Sequence, residues 1–248
     1  ACAGQLLEVC KKLNILCVLI GQVTKDGTIA GPKTLEHLVD TVIYLEGDNV
    51  HDYRILRLTK NRFGPSDDIV VMNMTPTGLQ IVENPSLLFL GNELKPGSEG
   101  SVITPVIDGS KTFLIEIQAL VTPTTFGYPQ RRSSGFDNNR LQLLLAVLTK
   151  RGRLNQLNSH DVHINVIGGY KIDEPAADLA VCLAVASSLL NKEIIQPLAA
   201  FGEVGLGGEI RPVKKTDIRM RELQKIGLQK ILNSQNTKNV KDAVAALG

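Results

Sequence analysis

Ile15-Leu16-Cys17-Val18-Leu19-Ile20 is an unbroken apolar run. Ahead of it, residues 4–13 bring Leu6, Leu7, Cys10 and Leu13 to one face of a helix and leave Lys11 and Lys12 on the other, because side chains three and four apart share a helical face. Asn14 ends that helix. A run this short, with no alternation and entered from a helix, reads as a strand buried on both faces. Gly21-Gln22-Val23-Thr24-Lys25-Asp26-Gly27 follows as a polar, glycine-bearing loop. Helix, buried strand and loop in succession predict an α/β domain. Ligands in such sheets bind outside the carboxyl ends of the strands. That puts Gln22, Thr24 and Lys25 where a phosphate-bearing ligand or nucleic acid would sit. The competing reading is a surface loop without a ligand.

Working outward, residues 35–38 form a helical turn and residues 39–45 another apolar strand. Glu46-Gly47-Asp48-Asn49 is a tight-turn signal. Residues 51–59 and 68–74 read as further strands, so the parallel sheet is expected to end in antiparallel edge strands. Between these two runs lies Lys60-Asn61-Arg62-Phe63-Gly64. Two cations and an aromatic ring at a strand end can be presented to an anion. A solvated turn with ordinary surface cations is the alternative.

Composition sets bounds on what the chain can be. With 43% hydrophobic and 21% charged residues, 248 residues suit a globular protein of two domains. Aromatics make up only 4% and Trp is absent, so the core must come from Leu, Ile, Val and Ala. A net charge of +2 does not by itself indicate nucleic acid, and any basic surface must be local. The four cysteines include no C-x-x-C pair, which argues against a zinc site. Cys10, Cys17 and Cys182 lie in apolar runs and read as small buried residues. No apolar run reaches the roughly 18 residues of a membrane span. The chain opens without Met inside an apparent helix, so an N-terminal part is expected before it.

The residues 21–40, with Gly21-Gln22-Val23-Thr24-Lys25-Asp26-Gly27, Ala30-Gly31-Pro32, Leu35-Glu36-His37 and Val39-Asp40, resemble the RadA (Sms) family of bacterial and organellar recombination ATPases. Lys60-Asn61-Arg62-Phe63-Gly64 matches that family's signature motif in full. The resemblance implies a RecA-like ATPase core entered after its nucleotide-binding elements. Indeed no G-x-x-x-x-G-K-[ST] loop occurs in the sequence. It further implies ATP and Mg as ligands of the full-length protein and zinc in a four-cysteine finger outside this chain, with none of them bound by these residues alone. Lys60 and Arg62 would reach the γ-phosphate on a neighbouring ring subunit, because a cation supplied in trans stabilises charge on the transferring group. Gln22 would sense nucleotide state, and Lys25 would face DNA.

Asn84-Pro85-Ser86 and Lys95-Pro96-Gly97-Ser98-Glu99-Gly100 are breaker clusters. They divide the chain into residues 1–84, a linker over 85–100 and a second domain over 101–248. Strands at 101–107 and 112–121 open that domain. A helix over 138–151 follows, with Leu141, Leu144, Leu145 and Leu148 inward. Arg131, Arg132, Arg140, Lys150, Arg151 and Arg153 make the densest basic cluster of the chain. It is a candidate phosphate-binding surface, with a solvated helix end as the alternative. A strand over 161–168, a helix entered at Pro175 and running to residue 190, a strand over 198–204, a glycine-rich hairpin over 205–213, a helix over 216–225, a strand over 230–232 and a last helix from Val240 complete an α+β unit.

Residues 100–248 resemble the proteolytic domain of Lon, which uses a Ser-Lys dyad. In Lon the serine lies in an Asp-Gly-Pro-Ser-Ala-Gly motif. Here the matching run is Asp173-Glu174-Pro175-Ala176-Ala177-Asp178, so Ala176 holds the nucleophile position. The Lon motif Gly-Glu-Val-x-Leu-x-Gly-x-Ile-x-Pro-Val follows as residues 202–213, and in the same register the dyad lysine falls on Asp217. A methyl group cannot attack a carbonyl, so a non-proteolytic scaffold for ring assembly and DNA contact is expected, with a Lon-type serine peptidase as the alternative. The two resemblances together imply a DNA repair and recombination motor that promotes branch migration. Its partners would be single-stranded and branched DNA, recombination proteins such as RecA, and itself in a ring, as a hexamer. No membrane is expected. The implied location is the bacterial cytoplasm, with plastid or mitochondrion as alternatives.

Overall fold

The computed structural model describes residues 2–21, 34–47, 53–66, 68–83, 85, 90, 98–125 and 127–247. Gln22 and Lys25 lie outside the described residues. The chain divides into two compact units, Ala1–Ile81 and Val82–Gly248.

In the first unit α1 (Cys2–Leu13) and α2 (Thr34–Leu38) precede four strands, β1 (Thr41–Glu46), β2 (Tyr53–Asn61), β3 (Ile69–Thr75) and β4 (Gly78–Ile81). The strands form an antiparallel meander in the order β1-β2-β3-β4. Register puts Ile43 opposite Leu58, Leu45 opposite Leu56, Leu56 opposite Val70, Met72 opposite Ile81 and Met74 opposite Leu79. Residues paired across strands share a face, so these side chains form one apolar face. Much of it is open: Leu45 is 56% and Ile81 71% exposed. The opposite face holds Ile55, Ile69 and Val71, which are buried.

Residues 15–20 are not a strand. They run as irregular chain in solvent, with Ile20 96% exposed. Burial on both faces requires strands beside the run and helices above and below it, and no described strand pairs with it. The helix before the run forms, but Leu6 and Leu13 on its apolar face are exposed as well. Cys10 and Cys17 are only partly buried, unlike the fully buried Cys182.

The second unit is closed. β5 (Ser101–Asp108), β6 (Lys111–Pro123), β7 (Arg131–Ser134), β8 (His160–Val166), β9 (Leu198–Ala200) and β12 (Lys230–Leu232) form a mixed sheet in the order β12-β9-β5-β6-β8-β7. A small hairpin, β10 (Glu203–Val204) with β11 (Ile210–Arg211), stands apart from it. The helices are α3 (Asn138–Lys150), α4 (Asp178–Leu190), α5 (Thr216–Lys225) and α6 (Val240–Ala245). α4 is apolar nearly all round and is buried against β5 and β6, as a central helix must be. α5 covers the other face of the sheet, where Leu223 and Leu228 pack with Ile103, Leu114, Ala199 and Phe201.

Leu90, inside the stretch expected as a linker, packs into this same cluster, and Ser98 bridges to Ile194. The end of that stretch is therefore tied to the domain. Gly100 fixes the entry point. Its φ is +72°, its N–H donates to Ser187 Oγ at 2.9 Å, and a Cβ there would lie 2.2 Å from the Ala119 carbonyl oxygen.

Candidate functional site

The cationic loop begins inside β2, not after it, since the strand runs on through Asn61. Val42 pairs with Lys60 but Ile43 pairs with Leu58, so Thr59 is an extra residue on β2. Such a bulge re-aims the side chain beside it. Lys60 Nζ donates to the carbonyl oxygens of Glu36 at 2.7 Å and His37 at 3.3 Å. These belong to the last turn of α2, where unpaired carbonyls attract a cation. Tyr44 anchors that turn to β1: its hydroxyl donates to Glu36 Oε1 at 2.8 Å, which pushes the phenol pKa above its usual value. Arg62 makes two bonds to one residue. Its N–H donates to the Asp40 carbonyl oxygen at 3.0 Å, and its Nη1 to Asp40 Oδ1 at 2.9 Å. Asn61 shapes the tip, accepting from Phe63 N at 3.1 Å and donating to the Pro65 carbonyl at 3.2 Å. Phe63 is left 83% exposed. Lys60 and Arg62 are thus brought together, and both are held by the segment from α2 to Asp40.

In the second unit Ala176 is buried in a 3-10 turn, Pro175–Ala177, that leads into α4. Its carbonyl accepts from Gly202 N at 2.8 Å, which ties the turn to the chain entering β10. Asp217 lies in the first turn of α5, a favourable place for an acid. Lys215, with φ +58°, donates its Nζ to the Gly109 carbonyl at 3.3 Å. An ion pair flanks the two degenerate positions. Glu174 accepts from Arg219 Nη1 at 2.8 Å and Nη2 at 2.5 Å, and from Ile107 N at 2.8 Å. Arg219 also donates to the carbonyls of Lys214 and Pro105 and is almost fully buried. Sequence reasoning missed this pair. No local signal marks it, because its partners lie in different motifs.

The basic residues do not form one cluster. Arg140, in the first turn of α3, pairs with the fully buried Asp178 and also donates to the Val204 carbonyl at 3.0 Å. Burial pushes the Asp178 carboxyl up, against the opposing pull of Arg140 and of the Val204 N–H. Arg140 was expected with the DNA-facing cations, but its guanidinium is turned to this internal carboxylate. A signal for the pair was present, because an acid in an apolar helix requires a partner. Arg131 is half committed as well, with Nη2 3.4 Å from the Leu157 carbonyl and Nε buried without a partner among the described residues. That bond places Arg131 near the chain that leaves the far end of α3. Lys150, Arg151 and Arg153 are at the same end and exposed, as is Arg132 on the edge strand. The exposed cations are therefore Lys150, Arg151 and Arg153 at one end of α3, with Arg131 at their margin, and separately Arg132, which alternates with Arg131 along β7.

Among the described residues no group of His, Cys, Asp and Glu could hold a metal, and no helix is long and apolar enough to cross a membrane. Burial raises the Cys182 thiol pKa strongly, so this cysteine is a packing residue.

Residues 146–247 match the family model of the Lon protease (S16) C-terminal proteolytic domain. The chain is 48% identical over 228 residues to the DNA repair protein RadA of Aquifex aeolicus (strain VF5), a match that covers 92% of this chain and 51% of that protein. It is 48% identical over 225 residues to the protein of the same name from Chlamydia pneumoniae, covering 91% and 49%. With that of Bacillus subtilis (strain 168) it shares 45% over 231 residues, covering 93% and 50%. The chain spans about half the length of these curated relatives.

Proposed function

Because the chain belongs to the RadA family of DNA repair proteins, we propose that it is part of a DNA-dependent ATPase that drives branch migration of recombination intermediates, with its Lon-like domain as a non-proteolytic platform. The observation that carries this reading is the pairing of Lys60 and Arg62 at a bulged strand end, within one short loop. Two cations on one rigid edge suit the γ-phosphate of ATP with its Mg, held by a neighbouring subunit of a hexameric ring. Gln22 and Lys25 are assigned to nucleotide sensing and to the DNA channel. Single-stranded and branched DNA would also run along Arg132, Lys150 and Arg151. RecA is a candidate partner, and the bacterial cytoplasm the proposed location.

Replacing Lys60 or Arg62 with Ala in the full-length protein should slow DNA-stimulated ATP hydrolysis by about a thousandfold, to a residual but measurable rate, without loss of fold. Undiminished turnover would remove the role in trans. Replacing Arg132 and Lys150 together should weaken DNA binding and flatten its dependence on salt, since each lost phosphate contact reduces the slope. For the Lon-like domain, Ala176 supplies no nucleophile, and Asp217 puts a carboxylate where the dyad would need an amine. The peptidase alternative predicts casein degradation, so any turnover of casein would reinstate it.

A further inference from the structure

We propose that Asp40 is a positioning residue for the cationic loop, holding Arg62 ready while leaving it able to exchange its carboxylate for a phosphate. The inference rests on the reading of Lys60 and Arg62 as phosphate-contacting groups. Asp40 lies between α2 and β1, and it meets Arg62 twice. The Asp40 carbonyl accepts the Arg62 N–H at 3.0 Å, which fixes where the chain leaves the sheet. The Asp40 carboxylate accepts from Arg62 Nη1 at 2.9 Å, which fixes where the guanidinium points. α2 holds the second cation from the same side, through the Glu36 and His37 carbonyls on Lys60. One short segment therefore orients both groups, and the Thr59 bulge brings them to it.

Exposure distinguishes this device from a purely structural pair. The Arg62 and Asp40 side chains are 50% and 34% exposed, whereas Arg219 and Glu174 are 3% and 24% exposed, so the two pairs differ chiefly at the arginine. A half-exposed pair is screened by water and exchanges readily. Arg62 uses one nitrogen on Asp40, so its planar fork can turn from a singly charged carboxylate to a phosphate, which takes two parallel bonds. Among the described residues Lys60 has two carbonyls as partners and no carboxylate, so it can leave them for a stronger acceptor. The arrangement stores the cations in a defined place, and phosphate competes them away.

The test uses full-length protein and ATP, with Asp40→Asn, Asp40→Glu, Arg62→Ala and the Asp40→Asn/Arg62→Ala double variant. Asp40→Asn keeps the main-chain bond to Arg62 and alters a partly exposed side chain, so the thermal midpoint should stay within about 2 °C of the parent. Its DNA-stimulated kcat should fall about tenfold with KM for ATP little changed, as for a group whose effect is felt in the transition state. Asp40→Glu should recover most of that loss. The double variant should be no slower than Arg62→Ala, because Asp40 acts only through Arg62. If Arg62→Ala slows turnover sharply while Asp40→Asn keeps the parental kcat, the role of Asp40 is overturned and that of Arg62 stands. Asp40 loses its role in the same way if the two substitutions multiply, or if Asp40→Glu is as slow as Asp40→Asn. If Arg62→Ala is itself as fast as the parent, both fall together.

Discussion

Between Ala1 and Ile81 the described residues bury three hydrophobic side chains, Ile55, Ile69 and Val71. Between Val82 and Gly248 the helix α4 alone buries every residue from Asp178 to Ser188. The same aliphatic alphabet is used in both units, so the difference is one of closure. The second unit has helices on both faces of its sheet, and its internal charges come in pairs fixed by several hydrogen bonds. In the first unit one sheet face is open, and the ion pair at its signature loop is half exposed. A pair such as Arg62–Asp40 contributes about 0–1 kcal/mol, little enough for a ligand to replace it. Breaking a buried pair leaves a stranded charge and costs about 3–5 kcal/mol. The proposed chemistry therefore lies in the loosely packed unit, and the unit with a protease-like fold holds its charges as structure.

The sharpest way to break this comparison is Arg219→Ala. It strands Glu174 with only the Ile107 N–H as an identified partner and removes donors from two carbonyls. Glu174 keeps some contact with water, being 24% exposed, so urea unfolding of the second unit should show a loss of about 2–4 kcal/mol, toward the lower end of the cost of breaking a buried pair. Replacing both partners with apolar residues of similar size, as in Glu174→Leu/Arg219→Met, should recover most of it. A loss under about 1 kcal/mol for Arg219→Ala would mean that the pair is not integral to the fold.

Gly208→Ala should have a smaller effect. Gly208 has φ +86°, and a Cβ would come within 2.7 Å of Arg151 Cβ and 3.3 Å of Val240 Cγ2. Strain of this kind costs about 1–3 kcal/mol, measured by the same unfolding experiment. The substitution also shifts Arg151, so DNA affinity should change along with stability if Arg151 belongs to the basic surface.

The closed unit was the more legible in sequence, for physical reasons. Its helices carry their own boundary signals. Asp137 caps α3 by accepting from Arg140 N, Asn239 caps α6 by accepting from Asp242 N, and Asn191 ends α4 in the left-handed conformation. The Leu141, Leu144, Leu145 and Leu148 stripe also points inward as expected. Residues 15–20 were not legible in this way. An apolar run states a demand for burial, but neighbours supply the burial, and periodicity does not report them. Lys60 and Arg62 could be found as a motif, whereas their partners could not. Asp40 is twenty-two residues from Arg62, and only the strand register brings them together. Arg140 was misplaced because a cluster in sequence is not a cluster in space.

Leu45→Ser should have the smallest effect, and it probes the other side of the comparison. Leu45 lies on β1 opposite Leu56, on the open apolar face, and is 56% exposed. In the second unit, truncating a fully buried residue such as Leu144 costs about 2–5 kcal/mol, because transfer energy is lost and a cavity forms. Leu45 has already kept most of its contact with water, so little transfer energy remains to lose, and Ser leaves no closed cavity. Unfolding of the present chain should change by no more than about 0.5 kcal/mol. The same substitution in a protein of the relatives' full length sharpens the comparison. An unchanged cost there would make the open face a property of the unit itself. A cost of about 2 kcal/mol or more would mean that residues outside this chain cover the face, and the first unit would then be open only when taken alone.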